Sequence, residues 1–346
     1  MKHLSIIVPM YNVAPYVERC IRSLEEQDIP KDEYEIICVN DGSPDNCGEI
    51  VERLQQEYSN IILINQENQG VSRARNNGIE LANGKYLLFV DPDDYVDSHS
   101  FLGILKTAEA NRAQVSFLGY TVLNVEGTIQ RRILNEKEKG KVVRGAEAYF
   151  LARGDGRTDP DRMWAVLFER EFMNLHKLRY LPDVPYLEDG ELIARIMCLA
   201  ERCMFYGHSF YQRTTRPGSA TNSRLIHSEK AINGFINAAL ALKQFQQSET
   251  LNMDQKTFLN KPIAKFTILA LTPFVKELNY VGFYKKYKEL KRFELIKLEV
   301  NGLSPGYRKR ANSLNKSSFQ FLSFSYYRLQ DKLRSRRNSL KVLKPY

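Results

Sequence analysis

Between Leu4 and Val90 the chain switches repeatedly between continuous apolar runs and stretches with one apolar face, and that alternation leaves few folds open. Leu4–Pro9 is a β-rich run of the kind buried on both faces of a sheet. From Asn12 to Asp28 the period becomes helical, with Val13, Val17, Cys20, Ile21 and Leu24 on one face. Tyr34–Asn40, Ile61–Ile64 and Lys85–Val90 read as further strands. Between them lie a helix with Ile50, Val51, Leu54 and Tyr58 on one side, and a second, Val71–Ala82, whose inner face is small (Ala74, Gly78, Ala82) and suits close approach to a sheet. Strands and helices alternating at this spacing make right-handed βαβ units around a mostly parallel sheet. Ligands of such sheets bind beyond the carboxyl ends of the strands.

Three polar clusters stand at those ends: Pro9-Met10-Tyr11-Asn12, Asn40-Asp41-Gly42-Ser43 and Asp91-Pro92-Asp93-Asp94. The last releases three carboxylates within four residues, which suits either a hard cation or an acidic turn that caps the next helix. No Gly-x-Gly-x-x-Gly follows the first strand and no Gly-x-x-x-x-Gly-Lys-Ser/Thr occurs, so a nicotinamide or flavin site and a P-loop are both disfavoured. A divalent metal on carboxylates is the natural substitute for a glycine cradle when phosphate charge must be neutralised.

Ser5-Ile6-Ile7-Val8-Pro9-Met10-Tyr11-Asn12, Val39-Asn40-Asp41-Gly42-Ser43, Asn68-Gln69-Gly70-Val71-Ser72-Arg73-Ala74-Arg75-Asn76-Asn77-Gly78 and Val90-Asp91-Pro92-Asp93-Asp94, in this order, resemble the nucleotide-sugar domain of family 2 glycosyltransferases of the bacterial surface-polysaccharide type. The resemblance implies a GT-A (Rossmann-like) fold, a nucleoside-diphosphate sugar donor, a divalent metal (Mn2+ or Mg2+) and inversion at the anomeric carbon. It also implies roles. Pro9, Tyr11 and Asn12 would frame the nucleoside, Tyr11 against the base, and Asp41 would accept a hydrogen bond from a uracil. Asp91 and Asp93 would form the Asp-x-Asp pair, with Asp93 the direct metal ligand and Asp94 close by. For Arg75 two roles stand open, contact with the donor or a structural bond to the cleft loops.

Inverting transfer needs a carboxylate to take a proton from the acceptor hydroxyl. Tyr186-Leu187-Glu188-Asp189-Gly190-Glu191 could be the acidic first turn of an apolar helix, but its Glu188-Asp189 is similar to the family's Glu-Asp pair. On that resemblance Asp189 is the expected base, with Glu188 orienting it or serving instead. Arg213 and Arg216, in Phe210–Ser219, are similar to the family's loop that closes over the donor diphosphate; an exposed basic loop is the other reading. Trp164, the sole tryptophan, is either a core aromatic or a platform for the acceptor sugar. Gln212-Arg213-Thr214 has a threonine where processive synthases of the hyaluronan and cellulose type have a tryptophan, which points to addition of one sugar at a time.

The expected organisation is a catalytic domain over 1–225, its nucleotide half at 1–97 and its acceptor half at 98–225, then a helical region at 226–302 and a basic tail at 303–346. Helices are expected over Asp254–Thr272 and Pro273–Ile296. The chain's net charge of +9 resides in the tail: from Leu303 onward eleven lysines and arginines face one acid, Asp331, so residues 1–302 carry −1. Phe319, Leu322, Tyr326, Leu329 and Leu333 repeat there at helical spacing, fitting either a docking helix or a helix held on an anionic membrane surface. No nucleic-acid recognition motif accompanies the charge, and nucleic acid is not an expected partner. Five scattered cysteines without a Cys-x-x-Cys pair indicate neither disulfides nor zinc, and no apolar run is long enough to span a bilayer. The expectation is a cytoplasmic protein, peripheral at the inner face of the membrane. It would move one sugar from a UDP-sugar to a saccharide acceptor, polyprenyl-linked. The alternatives are a sugar-phosphate nucleotidyltransferase, and a non-catalytic membrane-associated scaffold with a transferase fold.

Overall fold

A computed structural model describes residues 2–153, 159–215 and 227–326. The chain divides into two compact units, Met1–Ser223 and Arg224–Tyr346.

The first unit is built on one sheet. β1 (Leu4–Met10), β2 (Tyr34–Asp41), β3 (Ile61–Gln66) and β4 (Tyr86–Phe89) lie in the order β3-β2-β1-β4, all parallel. β5 is Tyr95–Val96, β6 Val115–Leu123, β7 Ile129–Ile133, β8 Val142–Val143, β9 Val166–Glu169 and β10 Cys203–Thr214. β9 runs antiparallel between β4 and β6, and β10 runs parallel to β6 with register shifts between Phe205 and Ser209 and between Ser209 and Tyr211. β5 and β8 close the far edge of β10, and β7 folds back on β6. This is the mixed α/β architecture expected of a GT-A domain, with most of its ladder parallel.

α1 (Ala14–Glu25), α2 (Cys47–Glu57) and α3 (Val71–Leu81) make the crossovers, and α4 (Phe101–Ala110), α5 (Gly145–Leu151), α6 (Arg170–Leu175) and α7 (Glu188–Leu199) complete the unit. Each crossover helix buries the face its periodicity marks: Val17, Cys20, Ile21 and Leu24 in α1, Val51 and Leu54 in α2. α3 lies against β1 through small residues, as expected: a Cβ on Gly78 would sit 2.5 Å from Ile7 Cγ2. All five cysteines are free and buried.

The second unit is helical: α8 (Glu229–Gln246), α9 (Met253–Lys276), α10 (Tyr280–Arg292) and α11 (Pro305–Lys316). α9 opens on a capping box between Asn252 and Gln255. Its end corrects the expectation of a break at Pro273. The helix runs through both Pro262 and Pro273 and stops three residues later. Leu278 then takes a left-handed φ of 56°, and Asn279 caps α10 by accepting from Gly282 N at 2.9 Å. A proline costs a helix one hydrogen bond, which packing of the buried face of α9 outweighs. At the start of the tail, Phe321 is buried and stacks on Phe283 at 6.1 Å, while Phe319 is exposed. Leu329, Leu333 and the basic residues from Arg328 onward lie outside the described residues. Among those described, no helix is long and apolar enough to cross a membrane.

Glycine is a poor helix residue, and on an open face Gly→Ala stabilises by up to about 1 kcal/mol. At position 78 the sign reverses because the added methyl meets Ile7. Gly78→Ala should lower the free energy of unfolding by about 1–3 kcal/mol in urea denaturation; a neutral or stabilising result would show that α3 can lift from β1.

Candidate active site

The polar clusters at the ends of β1, β2 and β4 are tied to one another before they meet any ligand. After β1, Asn12 turns the chain with a φ of 54° and its N–H donates to Ser43 Oγ at 2.8 Å. Asp45 accepts from Ser43 Oγ at 2.6 Å, from Ala14 N at 2.7 Å and from Cys47 N at 3.2 Å, so one carboxylate serves the first turns of α1 and α2. Burial opposes that charge, but these donors together hold Asp45 down at about 2. Pro9 is buried within β1, and Tyr11 stands half-exposed at the lip.

Asp41, expected to meet the base, is only 3% exposed and is already engaged. Oδ1 accepts from Gln66 Nε2 and Gln69 N, and Oδ2 from Gly70 N, each at 2.8 Å. It therefore fixes the 66–70 loop that launches α3, with one lone pair of Oδ2 to spare.

That launch sets the position of Arg75, the residue to which the two acidic segments converge. Its side chain is buried and bonds both acidic segments. Nη2 donates to Asp91 Oδ1 at 3.1 Å, and Nη1 to Glu188 Oε1 at 2.9 Å and to Asp189 Oδ1 at 3.0 Å. Its guanidinium lies 5.2 Å over the ring of Tyr180, whose Oη donates to Asp189 Oδ1 at 3.0 Å. Burial works against this cation, but Tyr180, Asp189, Asp91 and Glu188 raise its pKa well above the ordinary value. One helix arginine thus joins the acids after β4 to the acids that open α7, almost a hundred residues later in sequence.

The Asp91–Asp94 segment is a turn closed by Asp94 N donating to Asp91 O at 3.0 Å, with Pro92 at its second position. Its acids are not equivalent. Asp94, expected close to the metal pair, has its carboxylate buried and bonded inward. Oδ2 accepts from Tyr211 Oη at 2.8 Å and Oδ1 from Thr214 N at 2.7 Å. Burial first, then the charges of Asp91 and Asp93, push its pKa well up. Asp91 is also raised, by burial and by Asp93 and Asp189 against the pull of Arg75. Such crowding of acids around one arginine is the environment a divalent cation relieves. Asp91 and Asp93, half-buried and lying outward of Asp94, are the hard oxygen donors that fit one.

At the head of α7, Leu187 adopts a left-handed φ of 57° and turns both following acids toward Arg75. Asp189 Oδ1 has two donors, whereas Oδ2 receives only Met163 N at 3.3 Å. Glu188 is pushed up to about 7 by burial and by Asp189, which together outweigh Arg75. Trp164 stacks on Tyr211 at 5.1 Å and meets Tyr120 edge-on at 5.0 Å, and Arg213 lies 5.6 Å over it. Tyr211 Oη, besides bonding Asp94, accepts from Asp91 N at 3.1 Å. Arg216 lies outside the described residues.

Residues 5–168 match the family model described as "Glycosyl transferase family 2". Residues 5–168 are a family 2 glycosyltransferase domain. Among curated proteins, the chain is 34% identical over 226 residues to the glycosyltransferase EpsJ of Bacillus subtilis, which covers 63% of this chain and 62% of that one. It is 36% identical over 115 residues to a poly(ribitol-phosphate) beta-glucosyltransferase of Bacillus spizizenii, which covers 33% of this chain but 18% of the relative. The chain thus spans less than two thirds of the length of these relatives. In fold it is similar to S. aureus TarS 1–349, crystallised with UDP, with a TM-score of 0.69 at 19% identity over 95% of this chain and 92% of that one. The GT-A architecture is therefore established for this chain.

Sequence reading missed Tyr180, Tyr211, Thr214 and Asp45, which hold the acids in place. A lone tyrosine or threonine carries no spacing signal, and only the fold brings these to the carboxylates. Glu188 gives the site a pH-dependent cost. Its folded pKa of about 7 lies above its ordinary 4.5, so the folded state binds the proton more tightly and stability falls as pH rises between those values. Glu188→Gln copies the protonated form. It should gain about 3 kcal/mol of unfolding free energy at pH 8 and clearly less at pH 5, read by urea denaturation at both.

Proposed function

We propose that the protein transfers one sugar from a uridine-diphosphate sugar to a hydroxyl of a saccharide acceptor, inverting the anomeric carbon, in assembly of a cell-surface polysaccharide. The observation that carries this reading is the shared arginine. Arg75 bonds Asp91 and the Glu188-Asp189 pair at once, so the acids suited to a leaving diphosphate and those suited to an attacking hydroxyl border one space. The family 2 domain gives the reaction class. A nucleoside diphosphate is supported by the TarS complexes with UDP and with UDP-GlcNAc, and a surface-polymer acceptor by the poly(ribitol-phosphate) relative and by the B. subtilis minor teichoic acid biosynthesis protein GgaB.

In this reading Tyr11 stacks on the base, Asp41 meets it through its remaining lone pair, and Pro9 and Asn12 shape the wall. Asp91 and Asp93 hold Mg2+ or Mn2+, which when bound neutralises charge on the departing UDP. Arg213 supplies a further cation on the diphosphate side. Asp189 takes the acceptor proton at Oδ2, the oxygen engaged only by the long bond from Met163, while Arg75 and Tyr180 fix the carboxylate through Oδ1. Glu188 shares Arg75 with it and is the alternative base. Trp164 offers an indole face to the acceptor sugar. The acceptor is proposed to be polyprenyl-linked and met at the cytoplasmic face of the membrane.

Asp93→Ala and Asp189→Asn, assayed for transfer from UDP-sugars in the presence of Mn2+, should each lose at least about 1000-fold in rate. Their melting temperatures should stay near that of the wild type. EDTA should abolish wild-type transfer, and Mn2+ restore it. Full activity in both variants would remove the roles assigned here.

A further inference from the structure

Among the described residues, Arg75 and Arg162 are the buried arginines, and they differ from each other, and Arg162 from the half-buried Arg195, in what their donors meet. Arg75 has three carboxylates, and Arg195 has both oxygens of Glu191 at 2.7 Å and the carbonyl of Arg179 at 2.6 Å. Arg162 is 6% exposed, yet its Nε and Nη2 are buried without a hydrogen-bond acceptor among the described residues. A buried cation with unspent donors costs several kcal/mol unless something pairs it.

What surrounds Arg162 holds the cation without using its donors. Its guanidinium carbon lies 4.6 Å over Tyr120, 5.4 Å over Trp164 and 6.0 Å over Phe117, so three rings face it. The neighbouring charges are mostly positive. Arg131 donates to Tyr120 Oη at 3.4 Å, and Arg213 shares the Trp164 indole. Asp161, its neighbour in the chain, accepts from Tyr149 Oη at 3.2 Å. Burial, and then Arg131, press the Arg162 guanidinium toward its neutral form, against Tyr120 and Asp161.

The position is next to the candidate active site. The following residue, Met163, bonds Asp189 through its backbone, and Trp164 stacks on Tyr211, which bonds both Asp91 and Asp94. Nε and Nη2 form one edge of the guanidinium fork, the edge that meets two oxygens of a phosphate side by side.

We infer that Arg162, set against Trp164 and Tyr120, anchors an anion subsite that binds a phosphate ester of the acceptor. That the phosphate belongs to the acceptor rests on the proposed transfer reaction; the anion subsite does not. The acceptor is then a phosphate-bearing chain, such as a polyol phosphate or a sugar on a lipid phosphate, rather than a neutral glycan.

Trp164 is the only tryptophan, so intrinsic fluorescence reports on this pocket directly. The full-length protein is titrated at constant ionic strength with inorganic phosphate, glycerol 1-phosphate and acetate, and separately with UDP and Mn2+ by calorimetry. Both phosphates should give a saturable fluorescence change and acetate none. Arg162→Gln should weaken phosphate binding about tenfold or more, and Arg162→Lys, which keeps the charge but not the fork, by a smaller factor. UDP affinity should stay within about twofold in both variants. The melting temperature of Arg162→Gln should be at or above that of the wild type, since an unpaired buried charge is removed. The inference is overturned by the absence of a saturable phosphate response or by an equal response in the variants. It is also overturned by an equal response to acetate, or by a parallel loss of UDP affinity, which would make Arg162 a donor-diphosphate residue. Failure of the wild type to bind UDP would count against the transfer reaction and leave the phosphate titration to decide the subsite.

Discussion

Burial of the Arg75 guanidinium among three carboxylates is the interaction on which the site depends. Removing one charge from water costs several kcal/mol, and the partners repay this only if their geometry is good. Here the geometry is prepared by backbone. Asp41 fixes the 66–70 loop, the loop starts α3, and Gly78 lets α3 lie close enough to β1 for Arg75 to reach Asp91. The same guanidinium then reaches α7, whose first residues are turned inward by the left-handed Leu187. Loss of any of these supports would strand a buried charge, so the cluster couples the fold of the first unit to the arrangement of its acids.

The lattice of strands was legible because its signal is distributed. A continuous apolar run, a period of 3.6 and a small inner face each repeat over many residues, and they agree with one another from Leu4 to Val90. The carboxyl-end clusters were legible for the same reason, since parallel topology puts them on one side. Single side chains were not. Asp94 looks like Asp91 and Asp93 in sequence, and only the approach of Tyr211 and Thr214 from β10 distinguishes a buried anchor from an outward acid. Pro273 looks like a helix stop, and tertiary packing of α9 overrides it. Arg75 was ambiguous because an arginine on a helix says nothing of which way it points.

The charges of the first unit are sorted. Asp91, Glu188 and Asp189 gather around Arg75, with Asp93 and Asp94 in the same turn as Asp91, and burial first, then their mutual repulsion, raises the pKa values of Asp91, Asp94 and Glu188. Arg162 and Arg213 lie over the face of Trp164, which stacks on Tyr211, and Nε and Nη2 of Arg162 have no acceptor among the described residues. Carboxylates and an arginine with unspent donors thus stand near one stack of rings.

In the proposed reaction a divalent metal would bring positive charge to the acids and the diphosphate would bring oxygens to a neighbouring arginine, while an anionic acceptor would pair Arg162. The Tyr211–Trp164 stack keeps the two sets from collapsing together, because rings tolerate a guanidinium on their faces yet offer it no acceptor oxygen. Tyr211 is the pivot of this separation, since its hydroxyl bonds the acids after β4 while its ring carries Trp164. Loss of the hydroxyl alone would leave Asp94 held inward only by Thr214. Loss of the ring would let arginine and aspartate meet. The tyrosine holds the two charge sets apart only because both of its ends are engaged.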